Sequence, residues 1–216
     1  MKDYDVIIVG AGPAGIFAAL EIVASGRGLK VLMIERGKDI DHRLCPSVVT
    51  DTACRSCSEC GLVCGWGGAG AFSDGKLTLS QKVGGNLSRY VDTETLDGLI
   101  KYTDDIYMKY GAPDEVHGTD AASVAVIEEM ARQNGLTLVP SLIRHIGTDQ
   151  CPIVLKNMKA ALNGSVDIKF LSGVKKILNE NGAVAGIESE DGQKINAEYV
   201  IVAPGREGAL WLERQS

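Results

Sequence analysis

Gly10, Gly12 and Gly15 form a glycine turn between an apolar run and a helix-forming run, and this turn constrains the fold more than any other feature. The first glycine permits a tight turn, the second lets the backbone approach a pyrophosphate, and the third lets the helix pack closely on the strand. The free N–H groups at the start of such a helix favour bound phosphate. The sequence therefore predicts a dinucleotide site formed by Gly10, Gly12, Pro13, Ala14 and Gly15.

The residues around this turn complete a β-α-β unit over residues 1–37. The run DVIIV predicts a buried strand, residues 16–24 predict a helix that ends at Ser25-Gly26, and KVLMI predicts a second strand. Glu35 ends that strand about twenty residues after the turn, which is the spacing of an acid that binds the ribose hydroxyls of a dinucleotide. Its charge disfavours a 2′-phosphate, so NADP is not expected. The next residue, Arg36, is also predicted to contact the dinucleotide.

The last third of the chain predicts antiparallel strands. Asn181-Gly182 and Asp191-Gly192 separate three apolar runs, and both pairs are typical of two-residue hairpin turns. We therefore predict an α/β fold, with a Rossmann-like parallel sheet, helices, and an antiparallel β-meander with its return strand over residues 165–205. The predicted strands of this part are 166–170, 174–178, 183–189 and 194–202. Earlier in the chain we predict three helices, over 96–110, 120–134 and 148–162. We also predict one strand, over 136–139.

Residues 38–88 interrupt this pattern as a long segment rich in Cys and Gly. Loops of this length are uncommon in compact domains and are usually functional. The small residues leave backbone N–H groups free to face an anion or a flat ring. Lys76 is a candidate to stabilise negative charge on the reduced ring of a redox cofactor. The alternative is a flexible loop whose Asp74 and Lys76 are solvated. The predicted cofactor contacts of this segment are Gly67, Gly68, Ala69, Gly70, Ser73, Asp74 and Lys76.

Four cysteines of the segment have the spacing of metal ligands. The run C-x2-C-x2-C-x3-C, over residues 54–64, is the bacterial ferredoxin spacing of a [4Fe–4S] cluster. The ligands are either Cys45, Cys54, Cys57 and Cys60 or the run that ends at Cys64. Four thiolates also suit tetrahedral zinc. Redox-active thiols, a disulfide, or no ligation are the open alternatives.

The run CGWGGAGAFSDGKL over residues 64–77 resembles a signature of bacterial proteins known only as uncharacterised FAD-dependent dehydrogenases. VIIVGAGPAGIFAAL near the N-terminus and IERGKDID around Glu35 agree with the same family, as do KYGAPDEVHGTD and RHIGTD. The meander and the turn Ala203-Pro204-Gly205 resemble the second half of FAD domains of the glutathione-reductase-like type, which are flavoproteins with two dinucleotide motifs. The resemblance covers essentially the whole chain and corresponds to the N-terminal half of the family.

This resemblance implies one FAD-binding domain over residues 1–216, and an incomplete one. It implies FAD as the cofactor, with Val174 beside the adenine and Gly205 near the cofactor. The implied activity is that of an FAD-dependent oxidoreductase, a dehydrogenase, acting on a small-molecule substrate. If the cysteines hold an iron–sulfur cluster, the electrons would leave the flavin singly through it to a redox partner. No catalytic residue follows from the resemblance.

Two other functions fit the same features. A thiazole-synthase-like enzyme that uses NAD would share the N-terminal motif and a glycine-rich segment, although the cysteine run and FSDGK disfavour it. The other alternative is a non-catalytic, truncated module that binds FAD or a metal. Trp66 is expected either to stack near the flavin or to pack. His42, His117, His145 and Cys151 are weaker candidates, because surface and packing roles are more common for such residues.

The net charge of −6 argues against a nucleic-acid partner, which usually requires a basic face. No apolar run is long enough to span a membrane, and the N-terminus lacks the pattern of a signal peptide. We therefore expect a cytoplasmic protein, in which metal ligation or redox chemistry suits cysteine better than structural disulfides do.

Overall fold

The structure, a computed structural model, describes residues 2–215. Its strands are β1 (Tyr4–Val9), β2 (Val31–Ile34), β3 (Lys76–Thr78), β4 (Ile143–His145), β5 (Val166–Lys169), β6 (Val174–Glu180), β7 (Ala183–Ser189) and β8 (Lys194–Val202). Its α-helices are α1 (Pro13–Ala24), α2 (Pro46–Val49), α3 (Thr93–Lys109), α4 (Ala121–Gln133), α5 (Gln150–Leu162) and α6 (Ala209–Glu213). Short 3-10 helices lie at Ile40–His42, Gly68–Phe72 and Leu87–Arg89.

Six strands form one sheet in the order β5-β2-β1-β8-β7-β6. β1 pairs in parallel with β2 and β8, and β2 pairs in parallel with β5. β7 runs antiparallel to both of its neighbours, β6 and β8. The predicted α/β fold, with a Rossmann-like parallel sheet and a β-meander, is therefore confirmed.

The central strands are buried because nearly all of their side chains are apolar. All four residues of β2 are buried, as expected for a parallel strand that is covered on both faces. Ile7 of β1 and Leu32 of β2 are fully buried, and they share one core with side chains of the meander. Burial of each such aliphatic side chain contributes about 1.5–3 kcal/mol to folding. The core therefore connects the β-α-β unit to the meander. It also fixes the end of the sheet at which the parallel strands β1, β2 and β8 finish.

The chain divides into two compact units. The first contains the residues up to Phe72 and from Leu155 onward, including the six-stranded sheet. The second contains Ser73–Val154. In the second unit β3 and β4 form a two-stranded antiparallel sheet, and α3 and α4 begin after the side-chain caps Asp92 and Asp120.

The second unit encloses one buried ion pair. Arg144 of β4 donates to both carboxylate oxygens of Asp104 in α3, at 2.5 and 2.7 Å, and to the Pro113 carbonyl at 2.6 Å. The hydrogen bond that Arg144 donates to Asp104 is the main reason that the pKa of Arg144 is raised. A bidentate pair of this kind is geometrically specific, so it fixes β4 against α3.

One predicted element is wrong. Residues 136–139, expected as a strand, have no regular structure, and the strand of this region is β4. Leu136 and Val139 are 66% and 48% exposed, so the apolar run there does not mark a buried strand. A strand needs a partner, and β3 pairs with β4. Within residues 2–215, no helix has the length and apolar character needed to cross a membrane.

Candidate dinucleotide site

The three glycines of the turn after β1 have different environments. Gly10 has φ +101°, and a Cβ there would overlap the carbonyl oxygen of Ala203. A Cβ on Gly15 would overlap the carbonyl of Gly10. In contrast, a Cβ on Gly12 would meet no heavy atom within 4 Å. Gly10 and Gly15 therefore permit close packing of the backbone, whereas Gly12 faces open space.

The N-terminus of α1 is available to an anion. Gly12 is the N-cap residue and Pro13 occupies the first turn, where its missing N–H costs no hydrogen bond. In the described chain, no side chain caps this end and no acidic residue lies in the first turn, which includes the exposed Ala14. The free N–H groups and the positive end of the helix dipole therefore face an open position.

A cavity of about 840 Å³ opens in the first unit, beside the N-terminus of α1. Its volume is in the usual range for small-molecule and cofactor sites. Ten of the predicted cofactor residues line it: Gly10, Gly12, Pro13, Glu35, Arg36, Gly68, Ala69, Gly70, Val174 and Gly205. The sheet thus brings together residues from the glycine turn, the end of β2, the glycine tract and the meander.

Glu35 is buried and its carboxylate organises the loops around the cavity. One oxygen, Oε2, accepts the Ala11 N–H at 2.8 Å. The other, Oε1, accepts the N–H groups of Gly37 and Gly65 at 2.8 and 2.9 Å. A carboxylate offers about four acceptor positions, so these three bonds leave capacity at Oε2 for a ribose hydroxyl. The predicted ribose-binding role stays a prediction, and the structure adds a second role that sequence reasoning missed.

The glycine tract lies directly against the glycine turn. Gly67 donates its N–H to the Ala11 carbonyl at 2.8 Å. A Cβ on Gly68 would lie 3.2 Å from the Cα of Gly12, and a Cβ on Gly67 would overlap the side chain of Leu155. Both residues also have positive φ, +85° and +61°, which favours glycine at the two positions. The tract therefore forms a wall of the cavity beside the N-terminus of α1.

Trp66 packs in the interior and does not line the cavity. Its side chain is fully buried, and its indole N–H donates to the Leu155 carbonyl at 2.8 Å. Its ring meets Phe170 edge to face, with ring centroids 6.3 Å apart. Of the two expectations for Trp66, the structure favours packing.

Arg43 has a role that no sequence motif indicated. It is 2% exposed, and its guanidinium donates to the carbonyls of Gly61, Leu62, Trp66 and Gly68, at 2.6–3.0 Å. It also lies over the ring of Phe72, 4.9 Å from the centroid. Burial is the main reason that its pKa is lowered, and the charge of Glu35 partly offsets that effect.

Charged side chains surround the opening near Glu35. Arg36 donates to the sulfur of Cys64 at 3.2 Å and pairs with Glu207 at 3.5 Å. The hydrogen bond to Cys64 is the largest cause of the raised pKa of Arg36. Several lining residues at this end were not predicted, because they come together only in the folded sheet: Ser172, Gly173, Glu190, Arg206, Glu207, Trp211 and Arg214.

Three predicted contacts, Ser73, Asp74 and Lys76, belong to the second unit. Lys76 pairs with Asp74 at 2.7 Å, and both side chains are more than half exposed. The hydrogen bond from Lys76 is the main cause of the lowered pKa of Asp74. Their predicted contact with the cofactor stays a prediction.

The structure gives no support to the predicted metal site. All six cysteines are free thiols, and among residues 2–215 no group of three or more His, Cys, Asp or Glu side chains is arranged to hold a metal ion. Cys54 and Cys57 are exposed, Cys45 and Cys60 are half-buried, and Cys64 lines the cavity beside Arg36. The cysteine run therefore does not fit an iron–sulfur cluster or zinc in this conformation.

Cys151, in the first turn of α5, has the environment of a packing residue. It is buried, and a Cβ on Gly75 would overlap its sulfur. Burial, followed by the charge of Asp74, raises the pKa of its thiol. A catalytic thiolate needs the opposite shift.

Comparison with known proteins agrees with this geometry. The lycopene cyclase protein family matches residues 5–45, which contain most of β1, the glycine turn, β2 and Glu35. An uncharacterized protein from Clostridium beijerinckii is 31% identical over 206 residues, which cover 92% of this chain and 30% of that protein.

Two solved structures have a similar fold. L-amino acid deaminase from Proteus vulgaris has a TM-score of 0.55 and 15% identity, over 99% of this chain and 50% of its own. The 3-ketosteroid-Δ4-(5α)-dehydrogenase from Rhodococcus jostii has a TM-score of 0.54 and 18% identity, over 94% of this chain and 46% of its own. The chain thus spans about half the length of these structures and 30% of the Clostridium relative. The chain has the Rossmann-like α/β fold of FAD- and NAD(P)-binding domains.

Proposed function

We propose that the cavity binds FAD and that the protein is an FAD-dependent oxidoreductase. One observation carries the proposal: the open N-terminus of α1 and the buried carboxylate of Glu35 line the same cavity. This is the arrangement that binds the pyrophosphate and ribose of a dinucleotide. Bound FAD supplies two-electron oxidation and reduction of an organic substrate. The protein supplies binding, orientation and electrostatics.

Each part of the cavity has a role in this proposal. The N–H groups at the start of α1 bind the pyrophosphate, and the open face of Gly12 lets it approach the backbone. Glu35 accepts a ribose hydroxyl through Oε2. Gly68, Ala69 and Gly70 line the path of the cofactor from the pyrophosphate.

FAD is favoured over NAD by the meander. Val174, the first residue of β6, is buried and lines the cavity, where the resemblance to glutathione-reductase-like FAD domains puts the adenine. One of the solved structures above is named a deaminase and the other a dehydrogenase, and the second name agrees with redox chemistry. Their names differ in substrate, one an amino acid and the other a steroid. We propose a dehydrogenase of the uncharacterised FAD-dependent family, acting on a small molecule.

The test is an absorbance spectrum of the purified protein, followed by titration with FAD and, separately, with NAD. We expect the two bands of oxidised flavin, or saturable binding of added FAD in a one-to-one ratio. Binding of NAD without FAD would instead support the thiazole-synthase-like alternative. Binding of neither dinucleotide would contradict the proposal. Iron and zinc assays on a sample purified without oxygen test the cysteine prediction independently.

A further inference from the structure

We propose that Arg43 is a positioning residue for the dinucleotide site. Its buried guanidinium binds four backbone carbonyls within residues 61–68, and so holds this segment, here called the glycine wall, against the turn that follows β1. The inference rests on the proposed function for its ligand, FAD. Arg43 itself is not among the residues that line the cavity.

The contacts of Arg43 are unusual for a buried cation. Three of its nitrogens donate to four backbone carbonyls, two near the start of the glycine wall and two near its end. Within the described chain it has no hydrogen bond to a carboxylate. A buried charge is costly unless its hydrogen bonds are satisfied. The carbonyls therefore do what an acidic partner does elsewhere, and the segment must adopt a curved backbone that aims several C=O groups at one point.

The opposite side of the glycine wall contacts the cofactor turn. Gly65 donates its N–H to Glu35, and Gly67 donates its N–H to Ala11. Gly68 approaches Gly12 closely. The wall thus lies between Arg43 and the residues expected to hold the pyrophosphate and ribose. Loss of Arg43 would release the carbonyls on one side and so loosen the N–H donors on the other.

Lysine cannot replace arginine here. Its ammonium is a single point with three donors, whereas the planar guanidinium offers five donors in a fixed fork. An ammonium would keep the charge and bind only part of the carbonyl set. The wall should then keep its location but lose part of its order.

Arg43→Met and Arg43→Lys test the inference, with Arg27→Met as the control for loss of an exposed arginine in the same unit. FAD affinity is measured by titration. The order of the wall is measured by alkylation of each cysteine, read by mass spectrometry of peptides. Cys64 is the reporter because it lies in the wall and is 7% exposed. The fluorescence of Trp66 and Trp211 reports unfolding of the first unit, and Cys151, 6% exposed, reports unfolding of the second unit.

We expect Arg43→Met to weaken FAD binding about a hundredfold and Arg43→Lys about tenfold. Losses of about 10- to 100-fold are typical when a residue that orients the ligands of a metal, without touching the metal, is replaced. Alkylation of Cys64 should accelerate in both variants, while Cys151 stays protected. Arg27→Met should match the unchanged protein. If Arg43→Met does not fold, the lysine variant decides.

Two results would overturn the inference. In one, both variants keep the original FAD affinity and protection of Cys64. In the other, Cys64 and Cys151 become reactive in parallel, which would make Arg43 a general stabiliser. If the unchanged protein binds no FAD, the proposed function fails, and the alkylation pattern still decides whether Arg43 orders the wall.

Discussion

At the scale of single residues, the site depends on which side of the backbone faces the cavity. Gly10 and Gly12 are two positions apart in the same motif, yet one is enclosed by Ala203 and the other faces open space. The structure thus separates the two roles that the motif assigns to them, the tight turn and the approach of the pyrophosphate. Their environments predict opposite consequences for the same added methyl group.

Gly12→Ala should retain the fold but lose affinity for FAD. Its φ of −75° suits alanine, and the change at an N-cap costs less than about 1 kcal/mol of stability. The methyl group would point into the open space that we propose for the pyrophosphate, so we expect at least about a tenfold loss of affinity, or 1.4 kcal/mol. Gly10→Ala is the matched variant, and it should mainly destabilise the protein because of its positive φ and the Ala203 carbonyl. Urea unfolding and FAD titration separate the two effects. Equal stability losses in both variants would refute this assignment.

Glu35→Gln should destabilise the protein even without cofactor. The carboxylate accepts three backbone N–H groups, whereas the glutamine amide would turn a donor toward at least one of them. We expect a loss of about 2–4 kcal/mol, since hydrogen bonds to charged groups contribute about 1.5–3 kcal/mol each. Urea unfolding of the apo-protein measures it. Glu198→Gln, in an exposed pair with Lys2, is the control and should change stability by less than about 1 kcal/mol. A neutral Glu35→Gln would mean that these bonds do not organise the loops.

Cys151 should be a slow thiol at neutral pH. Burial raises its pKa, so its thiolate forms only above the usual thiol value of about 8.5. Because the pKa is raised only in the folded state, the contribution of the neutral thiol to the free energy of unfolding is complete below the pKa of the unfolded state. That contribution is lost as the pH rises through the raised pKa of the folded state. Alkylation rates of Cys151 between pH 7 and 10 test this, with the exposed Cys54 and Cys57 as references in the same sample. Equally fast alkylation of all three at neutral pH would contradict the packing role.

At the scale of elements, α6 protects the edge of the main sheet. The edge strand β6 has outward-facing backbone groups, which in general invite pairing with another chain. Trp211 donates its indole N–H to the Lys175 carbonyl at 3.0 Å, and Gln215 accepts the Ile177 N–H at 3.0 Å. Trp211 also lines the cavity, so this short helix serves both the edge and the site.

Gln215→Ala should expose the edge without unfolding the sheet. The Ile177 N–H would lose its acceptor, so its amide hydrogen exchange should become faster, while the amides of β1 and β2 stay protected. Hydrogen exchange read residue by residue measures this. Gln193→Ala is a control, because the Gln193 side chain makes only a long contact with Lys169, at 3.5 Å. Unchanged exchange at Ile177 would mean that Gln215, two residues after the end of α6, does not cap the edge.

At the scale of the whole molecule, the described chain has two compact units with different kinds of interior. The first is built on a sheet with a fully apolar centre. The second has short strands and relies on a buried ion pair between Arg144 and Asp104. Removing one partner of such a pair leaves an uncompensated charge in the interior.

Asp104→Asn should destabilise the second unit by about 3–5 kcal/mol, the usual cost of breaking a buried pair from one side. Hydrogen exchange should accelerate within residues 73–154. The control is Asp105→Asn in the next position of α3, whose carboxylate pairs with Lys101 at the surface and should matter little. Similar exchange in the two variants would show that the pair has no structural role.

Much of the first unit follows from the sequence because its signals are local. The glycine turn lies between two apolar strands, and two Asn-Gly or Asp-Gly pairs separate the strands of the meander, so β1, α1, β2 and β6–β8 were predicted close to their observed bounds. The strand expected at 136–139 was not found, since an apolar run becomes a strand only if a partner strand accepts it.

The sequence by itself determined the glycine turn after β1, the position of Glu35 at the end of β2 and the α/β fold, because φ preferences, periodicity and spacing act over a few residues. Only the tertiary structure decided what surrounds the cavity. Arg43 donates hydrogen bonds to four carbonyls, and Cys64 accepts one from Arg36. Among residues 2–215, the cysteines of the run are not arranged as a metal site. Those outcomes depend on where distant segments meet and on which buried charges find partners. No local pattern in the chain encodes them.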